Sequence, residues 1–252
     1  MKANNRVCLL IALWAAATIL QLLSAVATPT GPTAVNLINS SRRELFESPK
    51  IAYAQAGNVS ELIIEALTIT ANWQGYYGNV SGNIVLDDAE GSSMYNWNLA
   101  DPQGEIYAAN TTVTSFATVS CVNLASNGLS GNLNESILET NYNISTNAGD
   151  GISETFNWTY AGSFQVGTKT INAAGSCPLV YTNVNDAGQA RDFPEVILGA
   201  DNNATLIFTA LLNQSIDGFK TGSNDKYDFQ MLVAENGGNP STTPYYFYVE
   251  LS

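Results

Sequence analysis

The chain has 252 residues, a formal net charge of −13 and no histidine; 45% of its residues are hydrophobic and only 12% are charged. The acidic balance repels phosphate backbones and argues against a nucleic-acid partner, and the missing imidazole excludes Ser-His-Asp and Cys-His catalysis and imidazole metal sites. With charge well below the ~25% of an ordinary soluble domain, the polar surface must be built from Asn, Ser, Thr and Gly, as suits a secreted or assembled surface protein.

Lys2 and Arg6 precede an apolar run over residues 7–27 that ends Ala25-Val26-Ala27 before Thr28-Pro29. A basic start, an apolar middle and a small-x-small end describe a secretory signal peptide, residues 1–27, cleaved after Ala27. An uncleaved anchor is the alternative, because about 20 apolar residues span a bilayer, but Thr18, Gln21 and Ser24 interrupt the second half. No second hydrophobic span follows. The expectation is an extracellular or cell-surface protein with no membrane contact once the leader is gone.

Residues 28–48 read as an extended N-terminal segment. Ala34, Val35, Asn36, Leu37 and Ile38 form a short β-prone piece, tethered by the polar stretch 39–48 with Arg42 and Arg43. Two readings are open. The piece is the first strand of its own domain, or it leaves and completes a sheet of a neighbouring subunit. In the second case Val35 and Leu37 enter one groove, with Ala34, Asn36 and Ile38 on the opposite face.

Residues 49–252 are expected to form one β domain. Strands are predicted at 51–55 and 59–71, with a helix over 60–67 as the competing reading of the second. A long strand or strand pair over 69–86 is broken at Gly75, Gly78 and Gly82. Strands follow at 94–99, 104–108 and 111–123. Residues 133–142 predict a short helix capped by Asn132 or Asn134. Further strands are expected at 154–160, 163–166, 169–173, 179–184 and 195–198, and at 204–212, the last buried on both faces. Residues 227–235 and 245–251 read as a closing pair joined through a Gly/Asn/Pro turn. In the last strand Tyr245, Phe247, Val249 and Leu251 share one face, and Tyr246, Tyr248 and Glu250 the other. Short strands separated by turn signals predict an all-β fold, a β-sandwich or jelly roll.

Cys121 and Cys177 are an even pair in an exported chain, and a disulfide between them is expected. Asn-x-Ser/Thr sequons occur at Asn39, Asn58, Asn79, Asn110, Asn134, Asn143, Asn157, Asn203 and Asn213. They exceed chance for this composition and predict N-linked glycans on several of these sites. Asp87, Asp88 and Glu90 crowd one turn, with Asp101 and Glu105 expected beside it. Calcium takes oxygen ligands from such turns, but the loop pattern is incomplete and a solvated hairpin turn is the simpler reading. Otherwise no cofactor is implied. Trp73, Tyr76, Tyr77, Tyr95, Trp97 and Tyr107 are expected in core or cross-strand pairs rather than a sugar-stacking platform. A glycosidase pair would need two carboxylates across a cleft, and no motif marks one; the chain is read as non-enzymatic.

The run Ala54-Gln55-Ala56-Gly57-Asn58-Val59-Ser60-Glu61-Leu62, the stretch from Trp73-Gln74-Gly75-Tyr76-Tyr77 to Asp87-Asp88-Ala89, Met94-Tyr95-Asn96-Trp97, Asp101-Pro102-Gln103-Gly104-Glu105-Ile106-Tyr107, and the ending Tyr227-Asp228-Phe229 to Tyr248-Val249-Glu250-Leu251 together resemble a family of secreted, sequon-rich archaeal surface proteins. The layout is similar to surface fibre subunits that polymerise by donor-strand exchange, such as archaeal threads and TasA-like bundling pilins. That resemblance implies a self-assembling subunit of a filament or surface layer, with the chain itself as partner. A secreted carbohydrate-binding module is the alternative.

Overall fold

The computed structural model describes residues 28–45, 48–99, 102–124, 133–172, 177–188, 191–222, 224–236 and 242–251. The expected signal peptide lies outside them, as does Asp101. The fold is all-β and sandwich-like. Its strands are β1 Trp73–Gly78, β2 Asn83–Asp87, β3 Ser93–Asn98, β4 Gly104–Ala109, β5 Ser120–Cys121, β6 Trp158–Tyr160, β7 Ser163–Val166, β8 Lys169–Asn172, β9 Cys177–Tyr181, β10 Pro194–Ala200, β11 Thr205–Leu211, β12 Ile216–Asp217, β13 Lys226–Tyr227, β14 Phe229–Ala234 and β15 Tyr246–Leu251. Two short helices, α1 Glu135–Asn141 and α2 Ile152–Thr155, lie between β5 and β6.

The central sheet runs β15-β4-β11-β10-β9-β6, with β5 also on β10. The four pairings β15–β4, β4–β11, β11–β10 and β10–β9 are antiparallel. β10 and β11 form the centre as a tight hairpin, Ala200 opposite Thr205. Both are apolar on successive residues because both faces are covered. On one face Ile106, Ala108, Ile197 and Phe208 pack against Met231 and Val233 of the β1–β14 ribbon and against Leu138, Tyr142, Ile152 and Phe156 from the helical segment. On the other, Tyr107, Val196, Leu198 and Ile207 pack against Val119 and the β7–β8 hairpin residues Phe164, Val166 and Ile171. Each such large apolar side chain contributes roughly 1.5–3 kcal/mol when fully buried.

The helix expected at 133–142 is α1: the Asn134 side chain accepts from the Ile137 N–H at 2.9 Å and caps it. The predicted doubly buried strand at 204–212 is β11, and the last strand divides its faces as the alternation requires. The disulfide Cys121–Cys177 is formed, with Cα atoms 4.7 Å apart. It ties β5 to β9, which lie one after the other along the same side of β10.

Several expectations are corrected. β14 and β15 do not pair with each other: β14 pairs with β1 and β15 with β4. β14 belongs to the ribbon packed over the central sheet and β15 to the sheet itself, so the two lie in different layers. Residues 154–160 divide into α2 and β6 rather than one strand, and of 111–123 only Ser120–Cys121 is a strand. Residues 51–55 and 59–71 form neither strand nor helix up to Ala71 and are exposed almost throughout. Their apolar residues keep no steady period of two, and no strand of the same chain offers them a ladder. Glu105 lies buried in β4 of the central sheet, whereas the acidic turn after Asp87 belongs to the separate β2–β3 ribbon.

Candidate functional site

β15 is the outer strand of the central sheet, and its free edge organises the site. Backbone groups on an edge strand point alternately inward to the neighbouring strand and outward. The outward groups of Val249 are paired: its N–H donates to Thr30 O at 2.8 Å, and its carbonyl accepts from Thr30 N–H at 3.1 Å. Among the described residues Thr30 is the only backbone partner of β15 beyond β4. Phe247, two residues earlier, is therefore left on the open edge with its ring against Tyr76, centroids 5.3 Å apart. On the opposite face Tyr248 stacks on Phe116 at 5.3 Å and accepts from the Val113 N–H at 2.9 Å.

A second anchor lies at Thr70 and Asn72, just before β1. The Thr70 hydroxyl and the Asn72 amide donate to the Asp150 carboxylate, and Trp73 Nε1 donates to Asp150 O at 2.7 Å. Between these anchors the large apolar side chains face water: Val35, Leu37, Ile51, Leu62, Ile63, Ile64 and Leu67 are exposed, and Ile38, Tyr53 and Val59 are almost completely so at 96%, 94% and 102%. Ala34, Val35, Asn36, Leu37 and Ile38 thus do not form a strand within their own domain.

Directly beneath the edge is a buried polar chain. Glu250 on β15 stands opposite Glu105 on β4, on the face that carries Tyr107. The Tyr107 hydroxyl donates to Glu250 Oε2 at 3.2 Å, and the Gly167 N–H, at the turn of the β7–β8 hairpin, donates to both oxygens of Glu250 at 3.0 and 2.9 Å. Burial, and next the charge of Glu250, push the Glu105 carboxyl up to about 8, although its hydrogen bond with Tyr107 acts the other way. Burial and the two neighbouring carboxyls also drive the Tyr107 phenol far above its ordinary value.

The other predicted residues are distributed as follows. Asp87, Asp88 and Glu90 lie at and after the end of β2, exposed, and Asp88 Oδ1 accepts from the Glu90 and Ser92 N–H groups at 3.0 and 2.7 Å. That carboxylate shapes the turn. Tyr95 and Trp97 project from the β2–β3 hairpin, stacked at 4.7 Å and about half exposed. Trp73, Tyr76, Tyr77 and Tyr107 instead sit in aromatic packing: Trp73 on Phe156, Tyr77 on Phe219 and Tyr227, Tyr107 on Phe116. Of the sequon asparagines, Asn39, Asn58, Asn79, Asn143 and Asn157 are exposed, and Asn110, Asn134, Asn203 and Asn213 are half-buried. Asn213 Nδ2 donates to Asp192 O at 2.9 Å, and Asn203 Oδ1 accepts from the Ser120 hydroxyl at 3.0 Å.

Sequence reasoning missed the Glu105–Glu250 chain. The i, i+2 spacing of Glu105 and Tyr107 placed both on one face, but only the β4–β15 pairing, remote in sequence, brings Glu250 to them. No family profile, curated protein or solved structure matches this chain. Among the described residues no helix is long and apolar enough to cross a membrane.

Proposed function

We propose that this chain is a non-enzymatic structural subunit of an extracellular filament or cell-surface layer that assembles with its own copies by β-strand addition. The observation that carries the reading is an edge of β15 that is paired, among the described residues, only by Thr30 at Val249, in a chain whose stretch after Thr30 turns its apolar side chains to water. Unstructured loops longer than about 12–15 residues are uncommon in compact domains and usually functional. Apolar side chains exposed in one stretch mark an interaction surface, and an open edge accepts a strand. In this reading Val35 and Leu37 of one copy enter the groove along β15 of the next, with Ala34, Asn36 and Ile38 facing the other way. The leader and the sequons fit an exported glycoprotein. The likeness in layout to donor-strand fibre subunits supports the same reading by analogy.

Electron microscopy and sedimentation of the mature protein test it. The wild type forms filaments or lattices, and a Val35→Asp, Leu37→Asp variant stays as folded single subunits. Wild type that remains monodisperse at high concentration, or a double variant that still assembles, overturns strand addition through this piece.

The exposed Tyr95–Trp97 pair favours one second reading, a secreted carbohydrate-binding module. Retention of monomeric protein on a glycan column, lost in Trp97→Ala, would support it over assembly.

A further inference from the structure

Residues of β15 that turn their backbone groups away from β4 are Phe247, Val249 and Leu251, every second position. Thr30 takes the middle one. Its bridge is a single rung, and the sequence around it gives the reason. Continued antiparallel from Thr30 and Val249, the ladder would set Pro32 opposite Phe247. Proline has no N–H to give the Phe247 carbonyl, and its ring fixes φ away from the values of an antiparallel strand. On the other side of Thr30, Pro29 is buried and anchors the bridge. The chain thus covers the centre of its own edge and cannot spread along it.

The surface beside this rung is apolar. Tyr245, Phe247 and Val249 alternate along the end of the chain on one face, and Tyr76 and Val80 come from the ribbon side. All five pack against the core and are only partly buried. Residues 34–38 carry an N–H at every position and no proline. A strand of that length turns alternate residues, its first, third and fifth, toward one neighbour. That matches the outward positions of β15. It cannot seat on them without the middle one, where Thr30 sits.

We propose that residues 29–32 are a displaceable guard on the β15 edge: Thr30 holds the middle rung in the single subunit, and residues 34–38 of a second copy take the edge only by removing it. The inference rests on the strand-addition reading above and adds its regulation. A guard of one rung loses to a full strand, so it delays assembly without preventing it and keeps dilute subunits apart.

The test uses as receiver the mature chain carrying Val35→Asp and Leu37→Asp, which has no strand of its own to give. The probe is a labelled synthetic peptide of residues 33–40, with binding read by fluorescence anisotropy. The receiver should bind it. Adding Thr30→Pro, which removes the N–H donated to Val249 O, should tighten binding at least about fivefold. Adding Pro32→Ala instead, which supplies the missing donor and removes no hydrogen bond, should weaken binding by about the same factor. Amide exchange locates the event: the Phe247 N–H, fast in the free receiver, should become slow with peptide bound. Equal affinity in all the receivers, or weaker binding with Thr30→Pro, overturns the guard and leaves strand addition standing. A peptide that binds none of them overturns strand addition through this piece, and the guard with it. Where Thr30→Pro does not fold, Pro32→Ala decides.

Discussion

Glu250 and Glu105, directly opposite one another on β15 and β4, are both buried and share one phenol, that of Tyr107. Two carboxyls in that position cannot both ionise freely, and Glu105 is the one held up to about 8. Its unfolded value is the ordinary one, 4.5. Between these values the folded state binds more protons than the unfolded state. Stability from this group is thus full at low pH and is lost as pH rises toward about 8. Glu195, fully buried and also held well above its ordinary value by burial, has the same sign. Urea unfolding at pH near 5 and near 9 should show the protein less stable at the higher pH. Glu105→Gln should flatten the profile in part, leaving the share of Glu195.

Tyr107→Phe removes the hydroxyl from this chain and leaves its neighbours one partner short. Buried groups deprived of a partner cost about 1–3 kcal/mol. Denaturation of the variant should show a loss in that range, and the pH dependence should steepen as Glu105 loses the bond that lowers it.

Gly104 begins β4 with φ +123, and a Cβ there would lie 2.0 Å from Glu250 O, a backbone atom that cannot step aside. Gly104→Ala combines a backbone conformation costing about 1–3 kcal/mol with a displacement of β15. A loss of at least about 3 kcal/mol, or failure to fold, is expected, read by thermal unfolding of the purified variant.

The Cys121–Cys177 disulfide spans 56 residues of sequence. Restriction of the unfolded chain by a loop of that size contributes about 4 kcal/mol. Reduction, or Cys121→Ser, should lower unfolding free energy by up to that amount, and non-reducing peptide mapping should recover the bond within one chain.

Glycan occupancy should follow exposure. Asn157 presents its side chain to solvent, whereas Asn213 Nδ2 already donates to Asp192 O. Mass spectrometry of the native protein should find Asn157 modified and Asn213 bare. Asn213→Gln should destabilise by about 1 kcal/mol, the worth of a typical hydrogen bond, and Asn157→Gln should not.

Much of the fold was legible because strands declare themselves through alternation. The faces of β15, the apolar run of β11 and the Asn134 cap of α1 all followed from local pattern. Pairing partners did not, because a ladder depends on residues more than a hundred positions away: nothing in β14 says that it meets β1. The stretch after residue 33 was misread for a related reason. Val59, Leu62 and Ile64 suit a strand, but a strand exists only where another backbone receives it. At the site, the acidic turn around Asp88 was visible as a cluster in sequence. The Glu105–Glu250 pair is a cluster in space, assembled by a sheet.

The pairing of β4 with β11 and β15, and of β1 with β14, also sets the order of events when the chain is made. The early strands are the receivers in these ladders, and their partners follow at least 100 residues later. Neither layer of the sandwich is complete before β14 and β15 have joined it. Closing such long loops before any contact rewards them makes folding slow. Throughout that interval the edges of β4 and β1 are unpaired and open to those of another copy.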